Sequence, residues 1–288
     1  MGRSVSTKKL LPPNFLLIGA PKCGSTSLWK VLRQHPNVFM PEEKEPNFFA
    51  SDDKYSEAEY RALFNGSDSY TAVGEASVAY SLVERNPGAP ERIAERVPSA
   101  RLLYIVRHPL RRIESAWLHH SRLDADVSSD FPKAVRTFPP LLEGTRYMRN
   151  LDCYRRNFPD KRIHVLFLED FAEDAPAVLE RCDRFLGVNP NARSHSELAK
   201  ENVSSQKERL HPLIHQIHEA DWWQRVRAIV PPRLRRFVVR ATRQNLSERP
   251  KWNPATRRWA LNQLQRDVQE ILQYAGKPPD FWNLTAGG

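Results

Sequence analysis

The chain has 288 residues, of which 40% are apolar and 27% charged. This is the balance of a globular protein and excludes a disordered or fibrous one. A formal net charge of +10 points to anionic partners: phosphate, sulfate, acidic glycans, nucleic acid or anionic lipid surfaces. Three scattered cysteines, Cys23, Cys153 and Cys182, are too few for a disulfide framework or a zinc site. No apolar leader and no run of about 18 apolar residues is present, so a single cytoplasmic domain without a membrane span is expected.

The first strong element lies at residues 15–34. Phe15, Leu16, Leu17 and Ile18 read as a short buried strand. A turn with Gly19, Pro21 and Gly24 follows, and Ser25, Thr26 and Ser27 open an apolar-periodic run, Leu28, Trp29, Val31 and Leu32, that reads as a helix. Strand, glycine loop and helix N-terminus together form an anion site, because the first N–H groups of a helix lack partners and its dipole is positive there. Lys22 and the hydroxyls add donors. The nucleotide P-loop wants its lysine directly after the second glycine, whereas here Ser25 stands there and the lysine lies inside the loop.

His35-Pro36-Asn37 ends the helix, and Val38 to Met40 form a short apolar stretch. The charged, proline-flanked run from Pro41 to Asn47 cannot be a helix interior and is anchored by Phe48 and Phe49. Tyr55 to Asn65 reads as a short helix, Ala72 to Tyr80 as a small-residue strand and turn, and Pro90 to Val97 as a helix. Arg101 to Val106 is a second strong strand leading into Arg107. Pro109 then opens a helix, where proline is tolerated, with Leu110, Ile113, Ala116 and Trp117 at core spacing and Ser115 on another face. Residues 121–140 read as a loop and short helix, and Tyr147 to Asn157 as a helix with Leu151 and Tyr154 facing in. Lys161 to Leu168 reads as the third strong strand, running into Glu169 and Asp170, and Ala177 to Leu186 as a helix capped by Gly187.

Three strand–helix units predict an α/β fold, three layers with a central parallel sheet flanked by helices. In such a sheet the strand ends share one edge, where ligands bind, so Arg107 and the Lys22 loop converge. The core is expected over 14–190, a helical and basic insertion over 191–253, and a C-terminal helix and tail over 254–288, all in one domain. Residues 225–243 hold seven arginines and no acid; Arg233, Arg236, Arg240 and Arg243 share a helix face suited to a polyanion or a membrane surface. Pro254 to Tyr274 reads as a long amphipathic helix, after which Phe281-Trp282 tucks down.

Pro21-Lys22-Cys23-Gly24-Ser25-Thr26-Ser27 resembles the 5′-phosphosulfate loop of the sulfotransferases that use 3′-phosphoadenosine 5′-phosphosulfate (PAPS). Ile105-Val106-Arg107-His108-Pro109, with Ser115 eight residues past Arg107, resembles their 3′-phosphate motif. Lys44-Glu45-Pro46-Asn47-Phe48-Phe49 and Gly74-Glu75-Ala76-Ser77 resemble the heparan-sulfate type of glycan branch, although Ala76 stands where that branch often has lysine. The resemblance implies PAPS as donor and adenosine 3′,5′-bisphosphate as product. It implies Lys22 and Glu45 as catalytic residues, and Lys22, Cys23, Gly24, Ser25, Thr26, Ser27, Arg107 and Ser115 as donor contacts, with Arg249 and Lys251 closing over the adenosine. The acceptor it implies is a hydroxyl, with a carbohydrate or glycolipid favoured; neither metal nor nucleic acid is expected.

Two other readings stay open on the residues alone. Glu169 and Asp170 at a strand end suit a P-loop kinase or NTPase using Mg-ATP, though Asp170 equally suits a helix cap. The arginine face suits a non-enzymatic polyanion-binding protein.

Overall fold

The structure is a computed structural model that describes residues 11–50, 54–123, 127–193 and 250–284. By its contacts the chain divides into two compact units, Met1–Ser194 with Trp252–Gly288, and His195–Lys251. The first is described here. The arginine-rich stretch 225–243 and Arg249 lie outside the described residues.

Five parallel strands form one sheet in the order β2-β3-β1-β4-β5. They are β1 (Phe15–Gly19), β2 (Val38–Phe39), β3 (Ala72–Ala76), β4 (Arg101–Val106) and β5 (Ile163–Phe167). All five residues of β1 and β3 are buried, as befits central strands covered on both faces. The helices are α1 (Ser25–Leu32), α2 (Glu57–Ala62), α3 (Ala89–Arg96), α4 (Pro109–Leu123), α5 (Phe131–Thr137), α6 (Pro140–Glu143), α7 (Tyr147–Arg155), α8 (Leu168–Glu173), α9 (Ala175–Leu186) and α10 (Pro254–Tyr274). No helix among the described residues is long and apolar enough to cross a membrane.

The topology fixes where a ligand belongs. From β1 the chain moves outward to β2, returns to β3, and then crosses to β4 and β5 on the other side. The crevice beyond the C-terminal ends of β1 and β4 is therefore the switch point at which open α/β sheets bind ligands. Both motif turns, after Gly19 and after Val106, open there.

Several boundaries differ from the sequence reading. Val38–Phe39 is a true edge strand, paired to Ala72 and Val73. The third strong strand stops at Phe167, and Leu168 to Glu173 turn into α8. Asp174 then caps α9 by accepting from the Ala177 N–H at 3.0 Å, so the helix begins at Ala175, two residues before the predicted start. The stretch 121–140 holds the end of α4, all of α5 and the first residue of α6.

Two long-range contacts lock helices onto this sheet. Asp267 on α10 accepts the N–H groups of Met148 and Arg149 at 3.1 and 2.8 Å. It thus caps α7, whose own N-cap residue, Arg146, provides no side-chain bond. Arg193 forms a bidentate pair with Asp183 of α9 at 2.6 and 2.7 Å and donates to the Val31 carbonyl of α1 at 2.8 Å. Both side chains are buried. Removing one partner of a buried pair strands the other charge at a cost of about 3–5 kcal/mol. Asp183→Asn is therefore expected to lower unfolding free energy by about that amount in urea titration; a loss below about 1 kcal/mol would mean that the site is wet and the pair weak.

Candidate active site

The loop after β1 is built from backbone. At Gly19 φ is +148°, and a Cβ would overlap the Ser81 side chain. Gly24 takes φ +93°, and its Cβ would meet Leu168 Cδ1 at 2.6 Å, so side chains are excluded on both counts. Lys22 itself is left-handed at φ +67°, which turns the loop between the two glycines. The Ala20 N–H donates to Ile105 O at 2.6 Å and ties the loop to β4. Gly24 is the N-cap of α1 and provides no side-chain cap, so the first-turn N–H groups of Ser25, Thr26 and Ser27 keep no capping side chain and face the crevice as an anion site. Of these three, Thr26 is exposed, Ser27 half-buried and Ser25 buried.

Arg112 supports the loop from beneath. It is 2% exposed. Its Nε donates to Pro21 O at 3.2 Å, and its Nη1 to Pro140 O, Leu141 O and Thr145 Oγ1 at 3.2, 2.9 and 3.3 Å. Sequence reasoning missed it, because it stands beside Arg111 in an ordinary amphipathic helix and nothing local marks it as buried.

Arg107 leaves the end of β4 half-buried and donates to the backbone carbonyl of Lys22 at 3.5 Å, so the turn after β4 and the loop after β1, predicted from separate motifs, meet at the switch point. The turn carrying Arg107 is held on two sides. Tyr147 of α7 donates its hydroxyl to Arg107 O at 2.8 Å, and the His108 N–H donates to Glu169 Oε1 at 2.9 Å. Glu169 Oε2 accepts Trp282 Nε1 at 3.1 Å, and Asp170 pairs with Lys277 at 2.7 Å. The acidic strand end is thus spent on anchoring the C-terminal tail. Trp282 packs against Phe167 and Tyr147 with ring centroids 5.3 and 6.0 Å apart. Tyr147 shares its helical spacing with Leu151 and Tyr154, which was the signal available for it. Ser115 lies half-buried on α4.

Glu45 reaches the same edge from the other side of β1. Its N–H donates to Ala76 O, at the C-terminal end of β3, at 2.9 Å. Its side chain is 35% exposed and ion-paired with Lys44. Glu45 and Asn47 are both left-handed, at φ +62° and +58°.

One predicted contact is corrected. Cys23 does not present its thiol to the loop cavity: the side chain is fully buried, with Sγ 3.6 Å from the Tyr147 hydroxyl and from Pro21 O, and its N–H donates to Ala20 O at 3.3 Å. Burial pushes this thiol up to about 11, against the pull of Arg112. Lys251 is exposed and belongs to the second unit. A cavity of about 840 Å³ runs along the outer side of β5, lined by His164, Arg181 and Tyr274 among others, and includes none of the loop residues.

A family model described as sulfotransferase domain matches residues 12–227. The bifunctional heparan sulfate N-deacetylase/N-sulfotransferase 1 of Caenorhabditis elegans is 26% identical over 198 residues, covering 63% of this chain and 23% of that protein. Human heparan sulfate glucosamine 3-O-sulfotransferase 5 is 26% identical over 205 residues, covering 64% and 56%. This chain therefore spans less than two thirds of either relative. The crystal structure of a sulfotransferase from Alicyclobacillus acidocaldarius superposes with a TM-score of 0.66 at 22% identity, over 95% of this chain and 100% of that one, a likeness of fold.

The thiols supply a direct check on the loop. Cys23 and Cys182 are buried and Cys153 half-buried. Only the thiolate reacts, so iodoacetamide at about pH 8 is expected to label Cys153 alone in the native protein and all three cysteines in denaturant. Native labelling of Cys23 at the rate of Cys153 would show that its side chain faces the crevice.

Proposed function

This chain belongs to the sulfotransferase domain family, and we propose that it transfers a sulfuryl group from PAPS to a hydroxyl of a carbohydrate, free or lipid-linked. The observation that carries the reading is the convergence on one sheet edge of an uncapped helix N-terminus, Lys22, Arg107 and the carboxylate of Glu45.

The residues present fit such a donor. Gly19 and Gly24 let the loop take positive φ and pack closely on Ser81 and Leu168, where a side chain would clash, and the α1 N-terminus offers N–H groups without a capping side chain. Ser25, Thr26 and Ser27 with these N–H groups would hold the 5′-phosphosulfate, and Arg107 with Ser115 the 3′-phosphate. When bound, PAPS supplies the sulfuryl group and departs as adenosine 3′,5′-bisphosphate. Glu45 takes the proton of the acceptor hydroxyl as general base. Lys22 neutralises the charge that grows on the departing phosphate, and the loop N–H groups do the same for the sulfuryl oxygens. Holding both partners on one edge removes the entropy cost of their encounter.

The carbohydrate acceptor rests on the relatives, whose names give heparan sulfate as what they act on. Three free thiols suit the reducing cytoplasm proposed for it. The Mg-ATP reading loses its acid, since Asp170 is paired to Lys277 and Glu169 is committed to His108 and Trp282.

Adenosine 3′,5′-bisphosphate at about 100 times its Kd should add about 2.7 kcal/mol, seen as a raised melting temperature, while Mg-ATP adds nothing; Arg107→Ala should abolish the shift. Stabilisation by Mg-ATP alone would overturn the donor assignment. With an unsulfated heparosan oligosaccharide as acceptor probe, Lys22→Ala and Glu45→Gln should each lower kcat by about 10²-fold or more. Turnover by Glu45→Gln at the wild-type rate would remove Glu45 from the role of base.

A further inference from the structure

The loop that carries Glu45 is anchored by the buried Phe49 and by the Glu45 N–H bond to Ala76 O. Two more of its backbone N–H groups donate to hydroxyls, and both hydroxyls are oriented by one buried carboxylate on β3. The Asn47 N–H donates to Ser77 Oγ at 3.0 Å, and the Phe49 N–H to the Tyr80 hydroxyl at 3.3 Å. Ser77 in turn donates to Glu75 Oε2 at 2.7 Å, and Tyr80 to Glu75 Oε1 at 2.7 Å. A third hydroxyl, that of Tyr60 on α2, donates to Oε1 at 3.4 Å, and the Tyr60 ring stacks on Phe48 at 4.1 Å between centroids. Glu75 itself is 0% exposed.

We propose that Glu75 is a positioning residue for Glu45: its carboxylate orients the Ser77 and Tyr80 hydroxyls so that they accept the backbone N–H groups of the base-bearing loop. The proposal rests on the reading of Glu45 as base. Its logic is donor counting. A hydroxyl has one proton and can accept as well as donate. An ionised carboxylate only accepts, so it draws the protons of both hydroxyls toward itself and leaves their lone pairs for Asn47 and Phe49. No neutral side chain of that size sets both relays in the same direction. The loop needs such support, because left-handed non-glycine residues such as Glu45 and Asn47 persist only where the surroundings over-determine them.

Burial holds the Glu75 carboxyl up at about 7, against the lowering effect of its three hydroxyl donors, and the nearby Glu45 charge raises it further. The titratable groups facing it are Glu45 with its partner Lys44 from the loop, Tyr60 from α2, Tyr80 from the turn after β3 and Tyr154 from α7. Protonated Glu75 must itself donate, and one relay then loses its acceptor. The loop is thus expected to tighten as pH rises through about 7. Global stability moves oppositely. A folded value above the unfolded 4.5 means a contribution fully present below the unfolded value and lost as pH rises through the folded one.

Hydrogen exchange read by mass spectrometry on the full chain, corrected for intrinsic rates, tests this. Protection at Asn47 and Phe49 should step up between about pH 6 and about pH 8. Glu75→Gln should abolish the step and speed exchange at these two sites by about tenfold or more, with Kd for adenosine 3′,5′-bisphosphate unchanged. Ser77→Ala and Tyr80→Phe, which keep Glu75, should each release their own N–H, and they decide the matter if Glu75→Gln does not fold. Unchanged protection at both sites, or loosening spread evenly over the sheet, would overturn the proposal. With the heparosan probe, Glu75→Gln should lower kcat by about tenfold or more at unchanged donor KM, and should have no further effect in a Glu45→Gln background. Additive losses would also overturn it. Wild-type turnover by Glu45→Gln would instead sink the base assignment, while the exchange result still decides whether Glu75 holds the loop.

Discussion

The Pro21 carbonyl, held by the guanidinium of Arg112, is the contact on which the donor half of the site depends. A phosphate loop must present its N–H groups to the ligand, which leaves carbonyl oxygens pointing back into the protein. An unpaired carbonyl there would carry a desolvation cost of about 1–3 kcal/mol. Arg112 meets it, and the same guanidinium gathers Pro140, Leu141 and Thr145. One buried cation therefore joins the β1 loop to the α6–α7 corner. Its positive charge lies directly beneath a loop read as binding an anion, where burial alone would otherwise favour an apolar residue.

The two halves of the site are supported by opposite chemistry. The Arg107 turn is fixed by the acids of α8 together with the C-terminal tail that they anchor, through Glu169, Asp170, Trp282 and Lys277. The Glu45 loop is fixed by hydroxyls, through Ser77 and Tyr80, with Glu75 behind them. A cationic turn is steadied by nearby carboxylates that are already paired and so do not repel an incoming anion. A loop that presents a carboxylate is steadied instead through neutral groups. The buried acid behind them lies close enough to Glu45 for the Glu45 charge to help hold its carboxyl up.

Much of this was legible in the sequence. Apolar runs ending in a glycine loop or an arginine mark β1 and β4, and parallel order then places both motifs on one edge. What escaped were residues whose environment comes from distant chain. Arg112 looks like surface charge until α6 folds over it. Cys23 sits among donor-binding residues in the motif, yet the left-handed Lys22 before it turns the next side chain inward. Asp170 looks like a metal-facing acid until Lys277, more than a hundred residues later, reaches it. The loop at Glu45 reads as non-helical from its prolines and charges, but the hydroxyls that hold it lie about thirty residues away, in the turn after β3. Local pattern reports periodicity and turns; it carries no information on which polar group will be desolvated.

The tail contact has a consequence in the order of synthesis. Translation delivers the β1 loop first, then the Arg107 turn, then the acids Glu169 and Asp170, and Trp282 and Lys277 only afterwards. All five strands have been synthesised while those acids still lack their partners and the Arg107 turn still lacks one of its walls. A nascent chain at that stage has no finished donor crevice. Completion of the site is thereby tied to the emergence of the last helix and the residues beyond it.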